Sequence, residues 1–252
     1  MKIPRDAPRR KVIKALERLV SKLEELDLRT FVLSTSIREY QLKRFIYGIF
    51  CINLIMSITA LVLGDLHFPY EYRFYQFKRL LRDTNPDLIL FCGDIINVGK
   101  KELLEKFLEE THKVSDAKII AVMGNHDFWL PRDTYIPPSR TSWYNILIFQ
   151  RVFKKFGDIL LWKDPFIFED IGFVGVPGWF DFTFAPWHLG FKLMDFMYGF
   201  YDNMIWNDTQ FVDFRMSPMK ATKIHIHMLK RQLDKIVSEG LKKSLFYYIL
   251  YP

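Results

Sequence analysis

From residue 56 onward, hydrophobic positions fall in short dense runs, separated by stretches in which they recur every three or four residues. "SITALVLGD" is an aliphatic, β-branched run closed by Gly64-Asp65. "PDLILFCGD" repeats the pattern and closes on Gly93-Asp94, and "AKIIAVMGNHD" repeats it again and closes on Gly124-Asn125-His126-Asp127. Such runs predict buried strands. Between them, "YEYRFYQFKRLLRDTN" and "GKKELLEKFLEETHKVS" carry apolar residues at helical spacing, and Asn85-Pro86 stops the first. Strand, helix, strand, helix, strand predicts a βαβαβ unit and a parallel sheet, whose ligands bind outside the carboxyl ends of the strands.

The flanks follow other patterns. "RRKVIKALERLVSKLEELD" has a stripe of Val12, Leu16, Leu19, Leu23 and Leu26, which predicts a charged-flanked helix packing on the body or on a partner. Residues 1–55 are read as a basic, helical extension and 56–252 as the main domain. Phe45 to Leu63 carries no charged side chain, so a membrane-associated protein anchored through 45–63 stands as an alternative. If Ile58 to Leu63 is a strand, the remainder is too short to cross a bilayer. Further on, "WYNILIFQRVFKKF" predicts a helix and "LLWKDPFIFEDIGFVGVPGWFDFTFAP" short strands of a second sheet. "MKATKIHIHMLKRQLDKIVSEG" predicts a helix with Ile226, Leu229, Leu233 and Ile236 as its stripe, and "KKSLFYYILYP" a further strand.

Composition narrows the classes. Half of the 252 residues are hydrophobic and about a quarter charged, which excludes a disordered chain. Cys51 and Cys92 both sit in apolar runs, consistent with buried thiols and a cytoplasmic location. The net charge of +7 is uneven: residues 1–44 hold 12 basic and 6 acidic side chains, the rest of the chain 24 and 23. A nearly neutral body gives only weak support to nucleic-acid binding.

Chemistry is concentrated at the three strand ends. Asp65, His67, Asp94, Asn125, His126 and Asp127 each fall just past one of them. The step from Asp65 to Asp94 and the step from Asp94 to Asn125 are each the length of one βα unit. Carboxylate, imidazole and amide oxygen together suit Mn, Fe or Zn. Singly, each piece is an ordinary turn or cap; three in register are a candidate metal centre.

The pattern D-x-H, G-D-x-x-[DN], G-N-H-[DE], present as "GDLHF", "CGDIIN" and "MGNHDF", resembles the calcineurin-like metallophosphoesterase superfamily, in its prokaryotic form. The resemblance implies a four-layer αββα sandwich that begins with the βαβαβ unit. It implies two divalent metal ions (Mn, Fe or Zn) and hydrolysis of a phosphomonoester or phosphodiester by in-line attack of metal-bound hydroxide. By the same resemblance Asp65 and His67 hold one metal, Asp94 bridges both, and Asn125 binds the second. His126 contacts phosphate and protonates the leaving group, Asp127 orients His126, and Asn97 supports the site from behind. "GVPGWFDFTFAP" is similar to a glycine-aromatic-aspartate segment of some members, which implies substrate contacts from Trp179 and Asp181. The partner is a phosphorylated small molecule or nucleotide, with no membrane.

The superfamily also supplies histidines from its second half, in T-H-x-P and G-H-x-H. Laid against the first, "YILYP" places Ile249 and Leu250, and the sequence stops before the second. The expectation is a domain lacking its C-terminal strands, with the edge of "SLFYYIL" exposed. The alternative is an impaired or inactive homologue acting as a binding module. His225 and His227 cannot share a metal from one helix, since they point about 200° apart, and are expected at a surface or groove. His112 is read as structural, and His188 as packed.

Overall fold

The structure is a computed structural model that describes residues 29–33, 50–55, 58–132, 135, 137–169, 171–183, 185, 187–201, 204–239 and 243–248. Strands β1 (Arg29–Leu33) and β2 (Phe50–Ile55) precede β3 (Ile58–Leu63), α1 (Glu71–Thr84), β4 (Leu88–Phe91), α2 (Lys101–His112) and β5 (Lys118–Ala121). The one-turn α3 (Asn125–Phe128), α4 (Trp143–Lys155), β6 (Ile159–Leu160), β7 (Phe166–Phe168) and β8 (Ile171–Val176) follow. A small cap of α5 (Leu193–Tyr198), β9 (Phe200–Tyr201), β10 (Met204–Ile205) and α6 (Asp208–Phe211) leads to α7 (Pro218–Ser238) and β11 (Lys243–Tyr248).

One sheet has the order β2-β3-β4-β5-β6, the other β1-β11-β8-β7. In the first, β3 through β6 are parallel and β2 is an antiparallel edge. Alternation along its strands fixes the layers. Ala60, Val62, Leu88, Leu90, Ile120 and Val122 face the second sheet and meet Ile171 and Phe173 of β8. Leu61, Leu63, Ile89, Phe91, Ile119 and Ala121 face α1, α2 and α4, packing against Phe77, Phe107 and Phe149. Each buried phenylalanine stabilises the fold by roughly 1.5–3 kcal/mol. On the far side, α7 lies on β8 so closely that a methyl group on Gly172 would collide with Ile236. Its buried Gln232 donates to the carbonyls of Trp162 (2.8 Å) and Gly175 (2.9 Å) and accepts from the Gly175 N–H (2.9 Å). Helix, sheet, sheet, helix is the expected α/β sandwich.

The flanks differ from their sequence reading. Phe50–Ile55 is a strand of the first sheet, so it is not part of a helical extension, and the division expected at 55/56 runs between two hydrogen-bonded neighbours. Over 50–55 and 58–63 the bilayer reading is also overturned, because these backbones are joined in a sheet ladder. No helix among the described residues is long and apolar enough to cross a membrane. The edge of β11, expected to be exposed, is covered: β1 pairs parallel to it, Arg29 opposite Lys243 through Leu33 opposite Tyr247. The stripe from Val12 to Leu26, and Ile249 and Leu250, lie outside the described residues.

Helix α7 also corrects its own pattern. Ile226 is exposed, while Ala221, Thr222, His225, Gln232 and Ile236 turn inward. The two histidines do diverge, with His227 exposed and His225 fully buried. His225 sits edge-on to Trp143 at 5.4 Å and Trp162 at 5.3 Å. Neither ring nitrogen reaches full hydrogen-bond geometry with a described group, the Gly178 backbone being the nearby polar neighbour. His112, as expected, is structural: its Nε2 lies 2.7 Å from the Asp158 carboxylate. His188 is exposed in the turn Trp187–Leu189 and is not packed.

Burial pushes the His225 pKa down from 6.5 to about 4, and the Gly178 backbone pulls it the other way by less. The folded pKa is below the unfolded one, so the unfolded chain binds the extra proton between them and stability falls as pH drops from 6.5 toward 4. The difference is on the order of 3 kcal/mol across that window. In denaturant melts, His225→Phe is expected to lose less stability than wild type between those two pH values; parallel pH profiles would contradict this.

Candidate metal centre

The register of the parallel strands sets the site. Leu63 lies opposite Phe91, and Phe91 opposite Ala121, so three loops leave the sheet level with one another. In the first two the backbone is left-handed at the candidate donors: φ is 55° at Asp65, 51° at His67 and 51° at Asp94. That conformation costs a non-glycine residue roughly 1–2 kcal/mol. It is held by backbone bonds between the loops, with the N–H of Asp65, His67 and Phe68 donating to the carbonyls of Gly93 (3.2 Å), Asp94 (2.9 Å) and Ile95 (2.9 Å). Phe68 then anchors the loop in the core, 4.8 Å from Phe74 and 5.8 Å from Phe107.

The third loop is tied by carboxylates. Asp127, with no exposed surface, accepts from the N–H groups of Gly124 (2.8 Å), Ile96 (3.1 Å) and Ile95 (3.3 Å). Asp94 answers by accepting the His126 N–H at 2.9 Å. Asp127 thus fastens backbone, and the structure shows no contact from its carboxylate to the His126 ring, which the sequence expects it to orient. That ring is held by the Asn97 carbonyl, 3.0 Å from Nδ1, and by stacking on Trp129 at 3.7 Å. Gly124 is extended rather than left-handed (φ −99°). It is needed for room, since a methyl group there would strike the Asp94 carboxylate and backbone nitrogen.

The side chains converge on a gap. His67 Nε2 lies 3.7 Å from Asp94 Oδ2 and 3.9 Å from Asp65 Oδ1, too far for hydrogen bonds. Two donors each about 2.1 Å from a shared cation reach across such separations. Donor atoms of His67, Asp94 and His126 all lie within 4.8 Å of one another, and the two imidazoles meet edge to face at 4.3 Å. His67 Nδ1 is buried and without a hydrogen bond. Asn125 is buried beside them, its amide nitrogen donating to Asp208 Oδ1 at 2.7 Å.

The electrostatics have one sign. Burial, and after it the charges of Asp127 and Asp65, raise the Asp94 pKa well above the carboxylate range. Asp127 and Asp208 are raised by burial too. Burial, then His126 and Arg73, push His67 down to about 3, and burial lowers His126. Anionic carboxylates are disfavoured, and protonated imidazoles do not relieve them. A bound cation would reverse both trends, so this donor set fits a divalent metal.

Two candidates from the sequence do not join the cluster as expected. Trp179 is 5% exposed and packs against Phe128 and Phe214 at 6.1 and 4.8 Å, so it lies in the core rather than beside the donor cluster. Asp181 is exposed and accepts the Thr183 N–H at 2.9 Å within its own turn. Sequence reasoning missed Asp208, whose only signal is a lone carboxylate in the aromatic stretch "IWND". It also missed Arg73, an arginine in the first turn of α1 that donates to the Asp65 carbonyl at 2.8 Å.

Gly124→Ala is expected to lower unfolding stability by roughly 1–3 kcal/mol, as overpacking does, even though its φ suits alanine. An unchanged denaturant midpoint would show that the Gly124–Asp94 approach is not tight.

No curated protein sequence matches the chain. Among solved structures, the phosphopantetheinyl hydrolase PptH of Mycobacterium tuberculosis is similar with a TM-score of 0.55 at 14% identity. The match covers 75% of this chain and 67% of that one, and at such identity the likeness is one of fold. A second solved structure, at 15% identity over 46% of this chain and 51% of its own, has a TM-score of 0.34, too low to bear on the fold. The sequence profile of the calcineurin-like phosphoesterases matches residues 58–228, well over half the chain and including all three donor loops. The chain belongs to the calcineurin-like phosphoesterase family, a family of metal-dependent phosphoesterases.

Proposed function

We propose that this chain hydrolyses a phosphomonoester or phosphodiester of a small molecule or nucleotide at the strand-end cluster, with Asp65, His67, Asp94 and Asn125 as ligands of two divalent cations. The observation that carries the reading is the gap between His67 Nε2 and the carboxylates of Asp94 and Asp65, at 3.7 and 3.9 Å. When bound, divalent cations supply a nucleophilic water at neutral pH and positive charge against the phosphoryl oxygens.

The protein's own groups divide the remaining work. Asp94 is 3% exposed and its Oδ2 lies 3.7 Å from His67 Nε2, so it would hold the cations from the buried side of the site. Asp65 is on the rim, its side chain 44% exposed, where it can exchange contacts with solvent and substrate. His126 has Nδ1–H engaged by the Asn97 carbonyl, which leaves Nε2 facing the reacting groups, where the neutral ring first takes up a proton and then passes it to the departing oxygen. Burial lowers its pKa, so the ring gives that proton up readily once it has taken it. Stacking on Trp129, itself stacked on Phe211 at 4.6 Å, keeps the ring from turning. Arg73 adds a fixed positive charge at the rim, felt by both histidines, which favours an anionic substrate.

Purified full-length chain with added Mn²⁺ is expected to hydrolyse chromogenic phosphate mono- or diesters, and EDTA to abolish the activity. Asp94→Ala should lower kcat/KM by at least roughly 100-fold, about 3 kcal/mol of transition-state stabilisation. Activity that survives Asp94→Ala would remove the proposal. Metal uptake without turnover on either ester would leave a binding module instead.

A further inference from the structure

We infer that Asp208 is a positioning residue that fixes which end of the Asn125 amide faces the cation site. The inference rests on the reading of Asn125 as a ligand. It goes beyond that reading by naming a residue outside the three strand-end loops on which the ligand depends.

Asn125 presents two chemically opposite ends, a carbonyl oxygen that can bind a cation and an NH2 that repels one. The rotation between them must be decided by a neighbour. Asp208, far along the chain on α6 and 2% exposed, accepts from the Asn125 amide nitrogen at 2.7 Å and from the Trp129 indole at 2.6 Å, both on Oδ1. An ionised carboxylate only accepts, so it holds the NH2 end and turns the carbonyl oxygen away from itself. Its charge is felt at Asp94 and His126, which places it beside the donor cluster. Its second oxygen, Oδ2, is buried and has no donor in full hydrogen-bond geometry, although the Trp206 side chain also favours the ionised carboxylate. A neutral acceptor would serve both donors with less desolvation. Asp208 thus joins the cap to the site: Trp129 stacks on His126, and one carboxylate oxygen aligns both Trp129 and Asn125.

The test is Mn²⁺ binding to the full chain by titration calorimetry, with thermal melts to confirm folding. Wild type should take up two equivalents. Asp208→Ala should weaken one of them by roughly 10–100-fold, as loss of a group behind a metal ligand does. Asp208→Asn can keep a carbonyl oxygen where Oδ1 lies and should stay near wild type. Asn125→Asp alone should weaken binding although it adds a negative ligand, because two carboxylates would then face each other at what is now hydrogen-bond distance. Combined with Asp208→Ala it should recover the affinity, because a carboxylate needs no orienting. Tighter Mn²⁺ binding by Asn125→Asp would overturn the inference without need of the alanine variant. So would two wild-type midpoints in folded Asp208→Ala, or no recovery in the double variant. A wild-type chain that takes up no Mn²⁺ would instead bring down the functional reading, and this inference with it.

Discussion

Two buried carboxylates exchange backbone hydrogen bonds across the loops after β4 and β5, and the site's geometry depends on that exchange. Asp127 gathers the N–H groups of Ile95, Ile96 and Gly124, while Asp94 takes the N–H of His126. Each loop supplies the carboxylate that satisfies the other, so neither can shift alone. Buried carboxylates are costly unless fully hydrogen-bonded, and the bonds here are to main chain, the least mobile donors available. The first loop joins by backbone pairing, Phe68 bridging to Ile96, which lets Asp65 and His67 hold left-handed conformations they would otherwise leave.

That rigidity gives the electrostatic problem its form. The charges of Asp127, Asp65 and Asp208 all act on Asp94, and burial disfavours the protonated form of the two imidazoles among them. The fold thereby concentrates negative potential in a small, partly desolvated volume, without a protonated histidine to balance it. Such an arrangement is unfavourable for the protein alone and favourable for a divalent cation. Strain in the backbone and unbalanced charge occur at the same residues, which is where functional sites usually store both.

Much of this was legible in the sequence because it is local. Each apolar run ending in Gly-Asp or Gly-Asn-His-Asp announces a strand and its donor together, and the parallel topology brings the three ends level. What was hidden depends on distant pairings. Strand β1, near the start of the chain, pairs with β11 near its end, and no periodicity could announce that. Asp208 meets Asn125 through a cap whose aromatic composition reads simply as core. The inward face of α7 was misread because the polar His225 and Gln232 are buried there, His225 among rings and Gln232 on main-chain groups, while Ile226 is left outside. In Gly124 the requirement is spatial rather than conformational, as only the fold reveals.

The central claim is that these three loops are built around cations that their own side chains cannot replace. Anomalous diffraction at the manganese edge from a crystal of the full chain grown with Mn²⁺ tests it most directly. The account predicts peaks at bonding distance from His67 Nε2, the carboxylates of Asp65 and Asp94, and the Asn125 amide oxygen. A map without anomalous density between these groups, in a protein whose loops otherwise match this structure, would contradict it.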